Sequence, residues 1–89
     1  MKRTIDVERQ AQVFAALADP LRVRFVRALI DHGEHGGSAL AERLGVSLAL
    51  LCHHAKILVR AGIVEKRKEG QTTYYRANRR VLAEGLRVA

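Results

Sequence analysis

The feature that most constrains the fold is a glycine corner between two segments with helical leucine spacing. The segments SALAERL and SLALLCHHAKILVR are separated only by Gly45 and Val46. The small residue Ala41 and the corner glycine would let the two helix backbones approach at a steep angle. The pattern therefore predicts a helix-turn-helix over residues 38–60, whose second helix would present its first turns to a DNA major groove.

A basic β-hairpin is predicted directly after the second helix. Residues 63–67 and 72–76 have the composition of short strands, and the turn KEGQ joins them. Three basic side chains near this turn would neutralise phosphates beside the groove, namely Lys66, Arg67 and Lys68. The hairpin, residues 63–77, is therefore expected to be a wing. The predicted fold class is mainly α with a small β-hairpin: a winged helix-turn-helix of about five helices and a two-stranded wing.

Three further helices are predicted around this unit. Residues 4–18 have amphipathic spacing, residues 20–31 begin with a proline, and residues 78–89 close the sequence. Four polar residues stand where helix N-caps are expected: Asp19, Ser38, Ser47 and Asn78. Residues 32–37 contain three glycines and two histidines and are predicted to form a loop. Together these elements predict a single winged helix-turn-helix domain over residues 1–89.

The charge distribution points to a polyanionic partner. The chain has 89 residues, enough for one core, and a net charge of +7. Residues 1–52 carry seven basic and six acidic side chains, whereas residues 53–89 carry nine basic and three acidic ones. A basic half beside a near-neutral half predicts a polyanion-binding face, with nucleic acid as the leading partner. The alternative is a positive surface that only aids solubility.

Composition disfavours several other classes of protein. No apolar run approaches the roughly 18 residues of a membrane span, and no secretory segment follows Met1. One cysteine cannot form an internal disulfide, which fits the reducing cytoplasm. There is no nucleophile with a base at credible spacing and no glycine-rich phosphate loop, so an enzyme is not expected. We expect a cytoplasmic protein with no membrane partner and no cofactor.

Three stretches of the chain resemble the ArsR-type family of winged-helix repressors. They are VFAALADPLRVRFV, LAERLGVS with HHAKILVRAGIV, and RKEGQTTYYR, and the resemblance covers about residues 11–77. It implies a homodimeric repressor that binds double-stranded DNA. The two protomers would pair through their first and last helices, here residues 4–18 and 78–89. It also implies release from the operator by a metal or another inducer.

The sensing residues of that family are not matched in this chain. The resemblance would place them as cysteines in the third helix, or as Asp, His and Glu groups in the last. SALAERLG has no cysteine, and NRRVLAEGLRVA has no histidine or aspartate. We therefore expect the chain to sense something other than metal, such as a small molecule or a redox signal, or nothing by itself.

The candidate DNA contacts lie on the second helix of the pair and on the wing. Those expected at base edges or adjacent phosphates are Ser47, Leu48, Ala49, Cys52 and His53. Those expected at phosphates are Lys56, Arg60, Lys66, Arg67 and Lys68, with Gln71 at the wing tip. The core side of this helix is predicted to be Leu51, Ala55, Leu58 and Val59. His54 is expected to be partly buried and bonded to backbone, and Arg22 and Arg24 to be solvated or paired with aspartates.

The chain departs from the family pattern at the start of the reading helix. The family usually has Gln, Ser or Thr around positions 48–50 and Ser at 52, whereas this chain has Leu48, Ala49, Leu50 and Cys52. At the wing tip, Gln71 stands where the family often has Arg. Leucine side chains make only apolar contacts with bases, for example with thymine methyl groups. We therefore expect DNA binding with a weak or thymine-rich sequence preference.

The run Cys52-His53-His54 suggests a metal site, but its spacing does not favour one. Adjacent residues on a helix point about 100° apart, whereas two zinc ligands on a helix usually stand at i and i+4. His32 and His35, with Asp31 and Glu34, offer a looser set in the loop before the third helix, where histidines are more often solvated than metal-bound. Redox sensing through Cys52 is a separate hypothesis. The simpler one is that Cys52 replaces the serine of the family.

Two classes of function therefore remain open. The favoured one is a homodimeric DNA-binding repressor, and a thiol-responsive repressor acting through Cys52 is a variant of it. The other is a winged helix used for protein partnership. This second hypothesis is suggested by Leu48 and Leu50, which would be exposed on a surface where DNA-reading residues are normally polar.

Overall fold

The computed structural model describes residues 7–87, which form five helices and one three-stranded antiparallel sheet. The helices are α1 (Val7–Ala16), α2 (Pro20–His32), α3 (Gly37–Leu44), α4 (Leu48–Arg60) and α5 (Arg79–Gly85). The strands are β1 (His35–Gly36), β2 (Val64–Glu69) and β3 (Thr72–Ala77), in the sheet order β1-β3-β2. The predicted fold class, a mainly α winged helix-turn-helix, is confirmed. The sheet has one strand more than the two-stranded wing that was expected.

The core lies where α2, α3 and α4 meet the base of the sheet. Its largest fully buried side chains are Val13, Phe25, Leu40, Leu51, Leu58, Ile63 and Val64. The ring of Phe25 meets the ring of Tyr75 edge-on, with centroids 5.8 Å apart and ring planes at 76°. Because α2, α4 and β3 share this core, side-chain packing sets the orientation of α4 relative to the wing.

Three of the four predicted N-caps are confirmed by hydrogen bonds. The Asp19 carboxylate accepts from the backbone amides two and three residues ahead, at 2.8 and 3.3 Å. The side-chain oxygens of Ser47 and Asn78 each accept from the amide three residues ahead, at 3.0 and 3.1 Å. These caps satisfy amides that have no partner inside the helix, so the starts of α2, α4 and α5 follow from local sequence.

The segment 32–37, predicted to be a loop, contains the short strand β1. This strand pairs antiparallel with Tyr74 and Tyr75 of β3. The chain then passes from β1 directly into α3, so the N-cap is Gly36 and the predicted cap at Ser38 is wrong. A strand of two residues has no periodicity that a sequence pattern can reveal, and its pairing depends on a strand far along the chain.

The hairpin is longer, and its turn tighter, than predicted. The strand β2 continues to Glu69, which pairs with Thr72, so only Gly70 and Gln71 remain in the turn. Gly70 has a φ of +62°, a left-handed conformation that favours glycine. The polar residues before the turn are poor strand formers, so the sequence pattern placed the strand ends too early. Lys68 therefore lies on a strand and not in the turn.

The helices α1 and α5 pack side by side through an unusually close contact. A Cβ atom at Gly85 would stand 2.8 to 2.9 Å from three atoms of the Val13 side chain. Gln10 Nε2 donates hydrogen bonds to the carbonyl oxygens of Gly85 and Arg87, at 3.0 and 2.7 Å. The absence of a side chain at Gly85 thus allows the close approach of the two helices.

We expect Gly85→Ala to lower the free energy of unfolding. Overpacking a rigid site costs about 1–3 kcal/mol, and the better helix propensity of alanine returns at most about 1 kcal/mol. The matched control is Gly37→Ala, a helical glycine whose Cβ would make ordinary contacts no shorter than 3.5 Å. Urea denaturation should show a lower free energy of unfolding for Gly85→Ala than for the wild type, and no decrease for Gly37→Ala. Equal behaviour of the two variants would contradict the close contact.

The helix α1 leaves most of its apolar residues exposed on the single protomer. It buries Val13 and Ala16, whereas 73% of Val7 and 45% of Phe14 is exposed. The helix ends at Ala16, two residues before its predicted end, because the chain turns there before Asp19 caps the next helix. The apolar spacing of this segment therefore marks two faces, and the core takes only one of them.

Two predicted helices extend beyond the described residues. The first was predicted from residue 4 and the last to residue 89, so positions 4–6 and 88–89 lie outside the described range. Within residues 7–87, none of the helices has the length and apolar character needed to span a bilayer.

Candidate nucleic-acid interface

The helix α4 buries one side of its cylinder and exposes the other. Its buried residues are Leu51, His54, Ala55 and Leu58. Six of the predicted DNA contacts are exposed on or next to this helix: Ser47, Leu48, Ala49, His53, Lys56 and Arg60. The helical period of 3.6 residues separates the two sets, and the buried set packs against α3 and the sheet. The exposed side is the one available to a partner molecule.

Alternation along β2 divides the basic residues of the wing between two faces. Lys66 pairs with Tyr75, and Lys68, two residues further along, lies on the same face as Lys66. This face looks toward α4, since Lys66 and Tyr75 line a space together with α4 residues. Arg67 pairs with Tyr74 on the opposite face. The three basic residues that were predicted to contact phosphates therefore do not share one face of the wing: Lys66 and Lys68 lie on the face toward α4, and Arg67 lies on the opposite face.

A cleft runs between α4 and the wing, and we call it the α4–wing cleft. It encloses about 200 Å³ and is lined by Cys52, Ala55, Lys56 and Val59 of α4 with Lys66, Thr73 and Tyr75 of the wing. A continuation of about 160 Å³ reaches Leu48 at the start of α4 and Gln71 at the wing tip. Lys56 and Lys66 thus face the same cleft from its two sides.

Cys52 lies in this cleft and not among the exposed residues of α4. Its side chain is half-buried and lines the cleft beside Tyr75. Burial, followed by the neighbouring Cys52, raises the pKa of Tyr75 above its ordinary value. The contact of Cys52 with a base edge or an adjacent phosphate stays a prediction, but Cys52 is less exposed than the other predicted contacts of α4. Residues of the wing lie beside this flank of α4, so the thiol faces the cleft.

Arg67 is held by two carboxylates on the outer face of the wing. Its guanidinium donates to both carboxylate oxygens of Glu34, at 3.1 and 2.9 Å, and to Glu69 at 2.6 Å. It also lies over the ring of Tyr74, 4.6 Å from the centroid. The hydrogen bond from Arg67 lowers the pKa of Glu34, and those to Glu34 and Glu69 raise the pKa of Arg67. A phosphate contact by Arg67 would require this cluster to open.

His54 joins α4 to the start of α2. It is buried, with 8% of its surface exposed, and its Nδ1 accepts a hydrogen bond from Arg22 Nη1 at 3.1 Å, because a guanidinium only donates. Arg22 Nε in turn donates to the carbonyl oxygen of Ala16 at 2.7 Å. The predicted burial of His54 is confirmed. The predicted bond to backbone is wrong, since its partner is a side chain of another helix.

We expect the free energy of unfolding to fall as the pH drops below 6.5. Burial, the largest cause, lowers the pKa of His54 below 6.5, the value that we assign to the unfolded chain. Between the two pKa values the unfolded state binds more protons, so acid favours unfolding, and above 6.5 this stability is fully present. Urea denaturation at about pH 7.5 and about pH 5.5 measures the difference. The decrease in the free energy of unfolding between these two pH values should be smaller for His54→Gln, which keeps an acceptor for Arg22, than for the wild type. An equal decrease in the two proteins would contradict the prediction.

The histidine before α3 uses both of its ring nitrogens. His35 Nε2 accepts from Arg43 Nε at 3.2 Å, and its Nδ1 lies 2.8 Å from the carbonyl oxygen of Gly33. Since Arg43 only donates, Nδ1 carries the ring proton and donates to that carbonyl.

In the described part of the chain, no group of three or more His, Cys, Asp or Glu side chains is arranged to hold a metal ion.

Three residues outside the predicted set position this interface. Arg22 ties α4 to α2 through His54, and Arg24 Nη2 donates to the carbonyl oxygen of Leu44 at the end of α3, at 3.1 Å. Glu34 holds Arg67, which is 33 residues away in the chain. The prediction that the two arginines are solvated or paired with aspartates missed these contacts. No local pattern could have indicated them, because each joins separate elements.

The sequence of this domain matches one family of regulators. Residues 19–66, more than half of the chain, match the family model described as bacterial regulatory protein, arsR family. The chain belongs to the ArsR family. An uncharacterised helix-turn-helix-type transcriptional regulator of Methanocaldococcus jannaschii is 34% identical to it over 68 residues, which are 76% of each chain. The arsenical resistance operon repressor of Bacillus subtilis is 34% identical over 67 residues, which cover 75% of this chain and 64% of that one.

A solved ArsR-type structure shares the fold. It is the solution structure of a homodimeric winged helix-turn-helix DNA-binding domain of Mycobacterium bovis, a possible ArsR-family regulator. Its TM-score is 0.81 at 30% identity, covering 89% of this chain and 73% of that one. ArsR-family proteins are DNA-binding transcriptional regulators and not enzymes. This chain is therefore a DNA-binding transcriptional regulator, and the resemblance in its sequence is confirmed.

Proposed function

We propose that two copies of this ArsR-family chain form a cytoplasmic repressor that inserts one α4 helix from each protomer into successive major grooves. One observation carries this proposal: Lys56 of α4 and Lys66 of the wing face the same cleft from its two sides. A DNA strand lying along the cleft would meet a reading helix and a basic strand together. This arrangement is the one that a reader of duplex DNA needs.

The proposed contacts follow from exposure. Those at base edges or nearby phosphates are Ser47, Leu48, Ala49 and His53. Those at phosphates are Lys56, Arg60, Lys66 and Lys68, with Gln71 beside the backbone at the wing tip. Cys52 would contact DNA only through the α4–wing cleft, and Arg67 only after its contacts with Glu34 and Glu69 open.

We further propose that the operator is rich in thymine where α4 enters the groove. Leu48 and Leu50 are 49% and 41% exposed at the start of this helix. Both side chains lack hydrogen-bonding groups, so they favour the C5-methyl group of thymine over the polar edges of the other bases. The proposed preference is modest, because an apolar contact discriminates less strongly than a bidentate hydrogen bond.

The proposed dimer forms through α1 and α5. Support comes from an exposed apolar row on α1, where Val7, Ala11 and Phe14 recur at spacings of four and three residues. Leu86, directly after α5, is also 49% exposed, and α5 packs on α1. Exposed apolar rows on small domains commonly mark interfaces. The related domain of Mycobacterium bovis is a homodimer, which agrees with this proposal.

Selection from a random duplex library by the purified chain tests the proposal. We expect enrichment of an inverted repeat with half-sites about 10 base pairs apart, centre to centre, and with thymine in each half-site. The variant Leu48→Gln should change the enriched base at one position in each half-site and leave the spacing unchanged. Enrichment of no sequence by the wild type would contradict sequence-specific repression.

A second candidate function is docking of a partner protein on α4. The observation that favours it is the same exposure of Leu48 and Leu50. The two functions differ in what salt does. DNA binding weakens steeply as salt rises, because phosphate contacts release counterions, whereas an apolar protein contact is nearly unaffected. Retention of a protein partner at high salt, without enrichment of any DNA sequence, would favour the second function.

A further inference from the structure

A groove distinct from the reading surface lies between α1 and the edge strand β2, and we call it the α1–β2 groove. It encloses about 570 Å³, a volume within the range of small-molecule sites. The helix α1 contributes Arg9, α4 contributes Val59, α5 contributes Val81, and β2 contributes Val64 and Lys66. The groove therefore touches both the proposed dimer helices and the elements that would face DNA.

The floor of the groove is apolar. Val64 is buried, and Val59 and Val81 are partly buried beside it. Gly62, with a φ of +81°, completes this floor, and a Cβ there would stand 2.8 Å from Arg9 Nη2. The guanidinium of Arg9 therefore lies directly over the Gly62 backbone, at the margin of the apolar floor.

The groove carries an excess of positive charge. Its ionised side chains are Arg9, Lys66, Arg67, Arg76, Glu34 and Glu65, so four cations and two carboxylates give a net charge of +2. Two of these cations are already neutralised, because Arg67 binds Glu34 and Arg76 binds Glu65 at 2.8 Å. Within residues 7–87, neither Arg9 nor Lys66 makes a hydrogen bond or an ion pair with another side chain. These two cations are the ones left to neutralise a ligand.

We propose that the α1–β2 groove binds a small organic carboxylate. The carboxylate group would lie at the unpaired cations Arg9 and Lys66, and the apolar body would cover Val59, Val64 and Val81. Two unpaired cations beside an apolar floor suit a ligand with one charged end. Inorganic phosphate would contact the cations but leave the apolar floor exposed to water. A neutral alcohol would cover the apolar floor but leave the two cations without a negatively charged partner.

Lys66 connects this groove to DNA binding. It lines the α1–β2 groove and also the α4–wing cleft. A carboxylate that engages Lys66 withdraws its positive charge from a DNA phosphate, so ligand and DNA compete for one side chain. The ligand would therefore act as an inducer that releases DNA. This regulatory role rests on the proposed function, whereas the binding of the carboxylate does not.

The binding step is tested on the full chain, without DNA, by titrating octanoate and following backbone amide signals by NMR. We expect saturable shifts at Gly62 and Val81 with octanoate, and no saturable shifts with octan-1-ol or inorganic phosphate over the same concentration range. Arg9→Gln should weaken octanoate binding about tenfold or more, as expected for a lost charge-assisted hydrogen bond. Arg27→Gln removes an exposed cation of α2 outside the groove and should have no effect. Absence of saturable shifts, or equal binding by Arg9→Gln, would overturn the site.

The regulatory step is tested by adding octanoate to the complex with duplex DNA. We expect release of DNA by octanoate and not by octan-1-ol at the same concentration. Arg9→Gln should bind DNA as tightly as the wild type without ligand and need about ten times more octanoate for release. Retention of DNA by octanoate-saturated protein would overturn the inducer role. A chain that binds octanoate in the groove but never binds DNA would instead overturn the proposed function and leave the ligand site standing.

Discussion

A Phe14→Glu variant is expected to be monomeric and to bind duplex DNA about 10²- to 10⁴-fold more weakly than the wild type. Phe14 is 45% exposed on α1, in the same apolar row as Val7 and Ala11. A glutamate there would leave a charge buried without a partner at the centre of the proposed dimer interface. Two linked reading helices bind far more tightly than one, so loss of the dimer removes this gain. Sedimentation and DNA titration of the same samples measure both effects.

The control for this variant places the same charge on another exposed apolar residue. Val23 is 36% exposed on α2, outside the proposed interface, so Val23→Glu should remain dimeric and keep its affinity for DNA. Thermal unfolding of both variants checks that each still folds. A Phe14→Glu protein that sediments as a dimer would show that α1 is not the pairing surface.

The double variant Lys56→Ala/Lys66→Ala is expected to flatten the salt dependence of DNA binding. A dimer of this variant lacks four proposed phosphate contacts, each of which releases about 0.9 counterion from B-DNA. The slope of log affinity against log salt should therefore become shallower by about 3.6. A fourfold rise in salt would then reduce the affinity of the variant about 10²-fold less than that of the wild type. Fluorescence anisotropy titrations with a labelled duplex give these slopes.

Arg67→Ala is the matched comparison within the same wing. Its guanidinium is already bound to Glu34 and Glu69 and lies on the face of β2 opposite Lys66. We therefore expect Lys66→Ala alone to change the slope by about 1.8 per dimer and Arg67→Ala to change it less. Equal changes for the two single variants would show that the Arg67 cluster opens on DNA.

Local sequence was sufficient to predict most of the helices. The caps Asp19, Ser47 and Asn78 act on amides within three residues, and the corner at Gly45 depends on backbone freedom at one position. Gly45 has a φ of +72°, in the left-handed region. Such signals are read within one helical turn, so they are visible in the sequence before the chain folds.

The sequence was less informative about which side of each element meets the core. The apolar spacing of α1 predicted an amphipathic helix, but only packing against α5 shows that Val13 is buried while Phe14 is exposed. Cys52 illustrates the same limit on α4. A helical projection puts it on the outer side, whereas the wing brings Tyr75 over it.

The amino-acid sequence by itself determined the helix-turn-helix, the basic hairpin and the ArsR-type character of this chain, because caps, turns and charge are local properties. The tertiary structure decided which cations are available to a ligand. Arg67 is neutralised by Glu34, 33 residues away, while Lys66 beside it is not. It also decided that His54 is bonded to Arg22, 32 residues away. Contacts between distant segments depend on how the elements pack, and no pattern of neighbouring residues contains that information.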